Sequence, residues 1–459
     1  MKKTLFILIF IITYFTGSSQ ISGIWEGHLK VSKTDSLSMV VVVEQLGDSL
    51  VVELDSPDQY SFHIQPNAAA FSNDTFSFTI KSLNASFVGV YNNVGDVIAG
   101  VFTQNRRDFP MVLARIAERI IPKRPQTPQP PYPYNVDEKI IYHENNTPTI
   151  FGTLTWPLTG KPKAVVVLIS GSGWQDRDET MFLHKPFLII ADYLTKLGYA
   201  VFRYDDLPMP KFRNATTLDF SKYAGMILDS LKNDTRCADV PIGFLGHSEG
   251  SLVATMCASV RKDVAFIISL AGPSIPLYEI LVYQAVIAAK NADFSNEEIR
   301  NSEKMNRDFY QIVKKSKTSQ KAVAAIDQWF HNIANTMNDA ERERYGFSNS
   351  RLIMLKQNVV NPWMYAFIKC DPTSYIKKCN TPFLALNGSL DMQVEAQPNL
   401  SAFERHLKKD PRNRFIEFSN LNHLFQEAQT GSMDEYGKIE QTISPEVLEA
   451  IRNWLELEK

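Results

Sequence analysis

Five consecutive residues, Gly246-His247-Ser248-Glu249-Gly250, constrain this chain more than any other part of it. An apolar strand-like run at 242–245 ends on them, and a helical pattern at 251–259 begins directly after. A G-x-S-x-G join of that kind bends so sharply that side chains at the two glycine positions would collide, and the bend lifts the serine hydroxyl clear of the sheet. The spacing by itself is weak, arising by chance in roughly 0.15 places in a chain of this length. The strand-to-helix setting makes Ser248 the expected nucleophile. It also aims the backbone N–H of Glu249, at the helix start, toward any negative oxygen formed beside the serine.

A serine hydroxyl at neutral pH needs a base, and the base needs an orienting carboxylate. After a nucleophile of this type the acid and then the histidine follow along the chain. Asp391 stands just past a strand read at 382–386, and His423 just past the next one at 414–418. Catalytic groups belong at such carboxyl ends of strands. The competitors fit less well. His406 and His331 fall in helical segments, His247 packs beside the serine turn, and Asp371 in Cys370-Asp371-Pro372 reads as a turn former. The second oxyanion donor is expected from Ser170-Gly171-Ser172-Gly173-Trp174, the loop after a strand at 164–169, with Ser172 and Gly173 as candidates. Phosphate-loop spacings are absent there. The next residues, Gln175-Asp176-Arg177-Asp178-Glu179, read as an ion-pair network bracing that loop rather than a metal or acid/base cluster.

From about residue 136 strand-like runs (164–169, 200–204, 242–245, 264–270, 382–386, 414–418) alternate with helical segments, which is the α/β pattern of a largely parallel sheet flanked by helices. A helical segment at 186–197 stops at Gly198, and the last helix opens with Ser444 as N-cap and Pro445 in its first position. A charge-rich helical stretch at 282–368 interrupts the alternation and is expected to form a cap. Near its end, Trp363, Met364, Tyr365 and Phe367 either line an apolar mouth over Ser248 or anchor the cap to the core. Trp363 and Tyr365 are the candidate substrate contacts.

Ahead of this region, residues 20–118 carry short Val-, Phe- and Thr-rich runs at 39–43, 50–54, 75–80, 86–91, 97–102 and 111–113, separated by turn residues. They predict a small all-β barrel or sandwich, with His28 and His63 as ordinary strand residues. Prolines crowd 119–135, expected to be a semi-rigid spacer. Lys2 and Lys3, an apolar run at 5–15 and the small residues Gly17, Ser18 and Ser19 have the order of a secretory signal over 1–19. That predicts a secreted or periplasmic protein with no stable membrane insertion after cleavage, an uncleaved anchor being the alternative. Cys237, Cys257, Cys370 and Cys379 lack the spacing of a zinc site or a disulfide scaffold, although Cys370 and Cys379 could bridge. Net charge is −2 with 44% apolar and 21% charged residues, so nothing points to nucleic acid. The oligomeric state is not legible.

Taken together, Gly152-Thr153-Leu154-Thr155, Gly171-Ser172-Gly173 with Gln175-Asp176-Arg177, His184-Lys185-Pro186-Phe187, Arg203-Tyr204-Asp205, Gly246 to Gly250, Ala385-Leu386-Asn387-Gly388 with Asp391, and Asn422-His423 resemble a bacterial branch of the α/β-hydrolase superfamily, close to secreted esterases and serine aminopeptidase-like hydrolases. The resemblance spans nearly all of 136–459. It implies an α/β-hydrolase fold with a helical cap, preceded by a small all-β domain, and Ser-His-Asp hydrolysis of a small-molecule carboxylic ester without metal or organic cofactor. A peptidase or amidase of the same fold, or a hydrolase-like envelope binding protein without turnover, are the alternatives. Two departures fall near the site: Asp206-Leu207-Pro208-Met209-Pro210 replaces a basic glycine-rich turn, and Trp174 stands where proline is usual.

Overall fold

The computed structural model describes residues 20–457 apart from 33–34, 48 and 143–147, so the signal-peptide segment lies outside the described residues. The chain forms two compact units that divide between Lys123 and Arg124, within the proline-rich stretch.

The first unit is one antiparallel sheet of nine strands: β1 (Gly23–Lys30), β2 (Ser36–Leu46), β3 (Ser49–Ser56), β4 (Ser61–Ile64), β5 (Ala68–Ser72), β6 (Thr75–Ile80), β7 (Ala85–Asn92), β8 (Val97–Gln104) and β9 (Arg107–Ile116). Their order is β4-β3-β2-β1-β9-β8-β7-β6-β5. β3 and β5, near opposite ends of that order, come into contact, so the sheet curls around one core. Period-two alternation builds this core: Phe76, Phe78 and Ile80 of β6 point in, as do Ala85 and Phe87 of β7, while Val88 and Val90 face solvent. β1 escapes a propensity reading because only Trp25 and Leu29 mark its inward face, with Glu26, His28 and Lys30 between and beyond them.

The second unit carries a sheet of eight strands: β10 (Asn135–Tyr142), β11 (Pro148–Trp156), β12 (Val165–Ile169), β13 (Ala200–Tyr204), β14 (Ile242–His247), β15 (Ile267–Leu270), β16 (Phe383–Gly388) and β17 (Arg414–Phe418). Their order is β10-β11-β13-β12-β14-β15-β16-β17, parallel from β13 to β17 and antiparallel at β10 and β11. The parallel strands are covered on both faces. Helices α1 (Pro186–Lys196) and the C-terminal Pro445–Glu456 pack on one side, and α2 (Thr217–Lys232), α3 (Glu249–Val260) and Ala396–His406 on the other. That is why β12 and β14 read as unbroken apolar runs. The chain leaves β12 for β13 on one side and pairs β12 with β14 on the other, so a crevice opens at their carboxyl ends.

The helical insert begins earlier than expected, with α4 (Leu277–Asn291), and continues through α5 (Asn296–Lys315), α6 (Ser319–Ala334) and α7 (Asn349–Val360) to α8 (Pro362–Lys369). It has its own apolar core, including Phe309, Val313, Ile326, Phe330 and Val359. No helix among the described residues is long and apolar enough to cross a membrane.

One expectation changes, and one alternative left open by the sequence is closed. Residues 124–135 are not a free-standing spacer. The Arg124 guanidinium donates to the carbonyls of Phe182 and Gly437, both at 2.7 Å, and Gln126 bonds the backbone of Thr442 and Ile443. Polar side chains between the prolines thus fasten the stretch to the second unit by satisfying exposed peptide groups. Cys370 and Cys379 are free thiols, and burial pushes Cys370 up to about 12.

Candidate active site

Ser248 sits between β14 and α3 with φ 51° and ψ −121°, a left-handed conformation that is strained for a residue with a side chain. Its N–H donates to the carbonyl of Leu270 at 2.8 Å, which pins the turn to the neighbouring strand. The flanking glycines are obligatory: a Cβ on Gly250 would stand 2.0 Å from the carbonyl oxygen of Ile169, and one on Gly246 2.2 Å from the carbonyl carbon of Gly250.

Asp391 lies three residues past β16 and is 2% exposed. Its Oδ1 accepts the N–H groups of Gln393 and Val394, each at 2.8 Å, and its Oδ2 lies 2.8 Å from Nδ1 of His423. His423 follows β17 in a loop shaped by Asn422, whose Oδ1 accepts the N–H groups of Leu424 and Gln426 at 3.0 Å. Ser248 and His423 line one cleft of about 280 Å³ at the carboxyl ends of the strands. The rivals are elsewhere: Asp371 caps the turn at Thr373, and His331 bonds the carbonyl of Asp327 on α6.

The sheet order, the strained serine turn after its central strand, and an acid and histidine following in that order occur together here. Together they make the arrangement of an α/β-hydrolase fold. No protein-family model matches the sequence. It is similar to Esterase EstD of Thermotoga maritima, with 25% identity over 317 residues; the match covers 66% of this chain and 65% of that protein. Among solved structures it is similar to Est1E from Butyrivibrio proteoclasticus (12% identity, TM-score 0.41, covering 70% of this chain and 97% of that one). It is also similar to a dienelactone hydrolase from Anabaena variabilis (13% identity, TM-score 0.39, covering 71% and 98%).

In the second unit the loop after β12 meets the cleft through Gly171 and Ser172. The Gly171 N–H is engaged by Glu179 Oε1 at 2.7 Å, which leaves Ser172 as the other residue of this loop on the cleft wall. Gly173, the other candidate, turns away with φ 93° and lines a neighbouring hollow with Trp174 and Met209. The side chain of Glu249 has a role that the motif does not announce. Its buried carboxyl accepts from Ser172 Oγ at 2.7 Å, Thr217 Oγ1 at 2.5 Å and Trp363 Nε1 at 2.8 Å. Burial raises its pKa. One carboxyl therefore joins the loop after β12, α2 and the cap beside Ser248. Asn361 caps α8 and Pro362 opens it, which sets Trp363 on the cleft wall. Tyr365 is a correction: its hydroxyl donates to the carbonyl of Ser316 at 2.9 Å and its ring packs on the cap core, so it anchors the cap and does not reach the cleft.

The ion-pair reading of 175–179 holds for Arg177, which grips Asp205 and Glu138 at 2.6 Å, and for Asp178, which pairs with Arg203. Glu179 is different. It is 1% exposed, and its Oε1 also contacts His247 Nδ1 at 3.0 Å. His247 in turn reaches the backbone carbonyl of His423 through Nε2 at 3.0 Å, with the two rings 4.9 Å apart. A carbonyl only accepts, so Nε2 carries hydrogen. Burial opposes a charge on His247, but Glu179 and the His423 carbonyl outweigh it, and its pKa is raised. Thus Glu179 and His247 tie the loop after β12 to the backbone of the candidate base. A histidine inside the serine motif gives the sequence no sign of this, because its partner lies 68 residues away.

Proposed function

We propose that this chain is a serine hydrolase that cleaves carboxylic esters by acyl transfer to water. The observation that carries the reading is the strained Ser248 turn opening into the cleft that also holds His423, whose far nitrogen rests on buried Asp391. With Oδ1 of Asp391 occupied by two peptide N–H groups, Oδ2 accepts the His423 Nδ1–H and leaves Nε2 as the base. Ser248 Oγ attacks the ester carbonyl carbon while His423 takes its proton. The oxyanion is held by the N–H groups of Glu249 and Ser172. As the intermediate collapses, His423 protonates the departing alcohol. Water then adds to the acyl-serine by the same steps, releasing the acid and restoring Ser248.

Ester rather than amide is favoured by the likeness to Esterase EstD. The test is a screen of purified protein against chromogenic esters and aminoacyl anilides. Ester turnover that vanishes in Ser248→Ala supports the proposal, whereas turnover confined to anilides replaces it with a peptidase. Export is part of the proposal, resting on the order of residue types in 1–19. N-terminal sequencing of protein from the native host should find a start at or near Gln20, and an intact Met1 would contradict it.

A further inference from the structure

The cap holds a second cavity, of about 370 Å³, larger than the 280 Å³ cleft at Ser248. Two helices run from one to the other. On α4, Ile280, Leu281 and Gln284 line the cleft, and the next turns place Ala285, Ala288, Ala289 and Ala292 on the wall of the cavity. On α8, Trp363, Met364 and Phe367 line the cleft, and Met364 and Ile368 line the cavity. Met364 therefore belongs to both walls. The alanines leave room along one stripe of α4, and Phe309, Trp329 and Phe347 form aromatic surface elsewhere in the lining. A space of this size and lining suits a small organic molecule.

We propose that this cavity is the subsite for the apolar tail of the substrate, reached from Ser248 past Met364, and that the preferred esters carry a medium-length acyl chain. The inference rests on the ester-hydrolase reading and narrows it to a substrate class. Nothing in the triad or the oxyanion loop requires it: an acetyl ester would fill the cleft alone.

Two measurements on the purified full chain separate the two claims. The first is calorimetric titration with decanoate, which reads the cavity without catalysis. The second is the ratio of kcat/KM for p-nitrophenyl decanoate to that for the acetate. The unaltered protein should bind decanoate and should favour the decanoyl ester. Ala285→Phe, which places a ring where α4 passes from cleft to cavity, should lower the ratio and the decanoate affinity by about tenfold or more. Ala289→Leu, a smaller change deeper in the cavity, serves if the first variant does not fold. Binding that behaves this way without any ester turnover keeps the subsite and defeats the hydrolase reading. Acetate turnover with no decanoate binding, or a ratio unchanged in the alanine variants, overturns the subsite and leaves the hydrolase reading intact.

Discussion

Glu179 offers a sharp test of how the site is held, because a single oxygen makes two of its contacts. Oε1 accepts the Gly171 N–H at 2.7 Å and meets His247 Nδ1 at 3.0 Å. In Glu179→Gln, an amide oxygen at that place keeps Gly171 but asks His247 to donate from both nitrogens as a cation without its counter-charge. An amide nitrogen there satisfies His247 and abandons Gly171. One buried contact is lost either way, at about 1–3 kcal/mol. Glu179→Ala loses both contacts and leaves His247 unpaired, at about 3–5 kcal/mol. Since the Gly171–Ser172 loop is the expected source of an oxyanion donor, kcat for a short ester should fall on the order of 10²-fold in Glu179→Ala, with a smaller change in KM. The pH dependence carries a second signature. The raised pKa of His247 stabilises the fold fully below its unfolded value of about 6.5, and that contribution is lost as pH rises through the folded value. Glu179→Gln should lose this slope. Urea titrations from pH 5 to 9, with steady-state kinetics at each pH, read both effects. A Glu179→Ala protein with the unfolding midpoint and kcat of the parent would refute the reasoning.

Three further outcomes are expected. Asp391→Asn should lower kcat by about 10⁴-fold, by analogy with other triads, while Asp371→Asn should leave it within a few-fold; the reverse pattern in steady-state kinetics would move the acid. Burial raises Asp206 to about 7, so the folded chain holds a proton that the unfolded chain releases near pH 4, and stability falls between those values. Asp206→Asn should therefore gain stability over the parent as pH climbs from 5 to 8 in thermal melts, and a constant difference would contradict this. Trp363→Phe keeps a ring near Phe367, 5.0 Å away in the parent, but removes one of three donors to Glu249. It should cost about 1 kcal/mol in urea unfolding, and a loss above about 3 kcal/mol would mean that the indole bears more than this one bond.

What the sequence disclosed follows from which interactions are local. β13 and β17 were legible to the residue because both are short runs of mostly apolar character bounded by breakers, and Thr75–Ile80 because its alternation is strict. Ser248, Asp391 and His423 could be named as candidates because each lies at a strand end in a fixed chain order, and the structure sets Asp391 against His423. β10 and β11 were not read: β10 mixes Asp137, Glu138 and Lys139 with apolar residues and resembles loop, and β11 opens on Pro148 and breaks its apolar run at Gly152. The functions of Glu179, Glu249 and Thr217 depend on partners brought together only by the sheet order. Tyr365 was misassigned because neighbours on a helix face in different directions: Trp363 and Met364 meet the cleft, while Tyr365 meets the carbonyl of Ser316. The first unit has a well-formed core, and no candidate catalytic residue was read in it.

The central claim is that Ser248 is the nucleophile of a working triad, and covalent labelling addresses it most directly. The purified chain is treated with a fluorophosphonate and its peptides are mapped by mass spectrometry. The adduct should fall on Ser248, form in proportion to loss of ester turnover, and slow by orders of magnitude in His423→Ala. No adduct, or full inactivation with Ser248 unlabelled, would contradict the account.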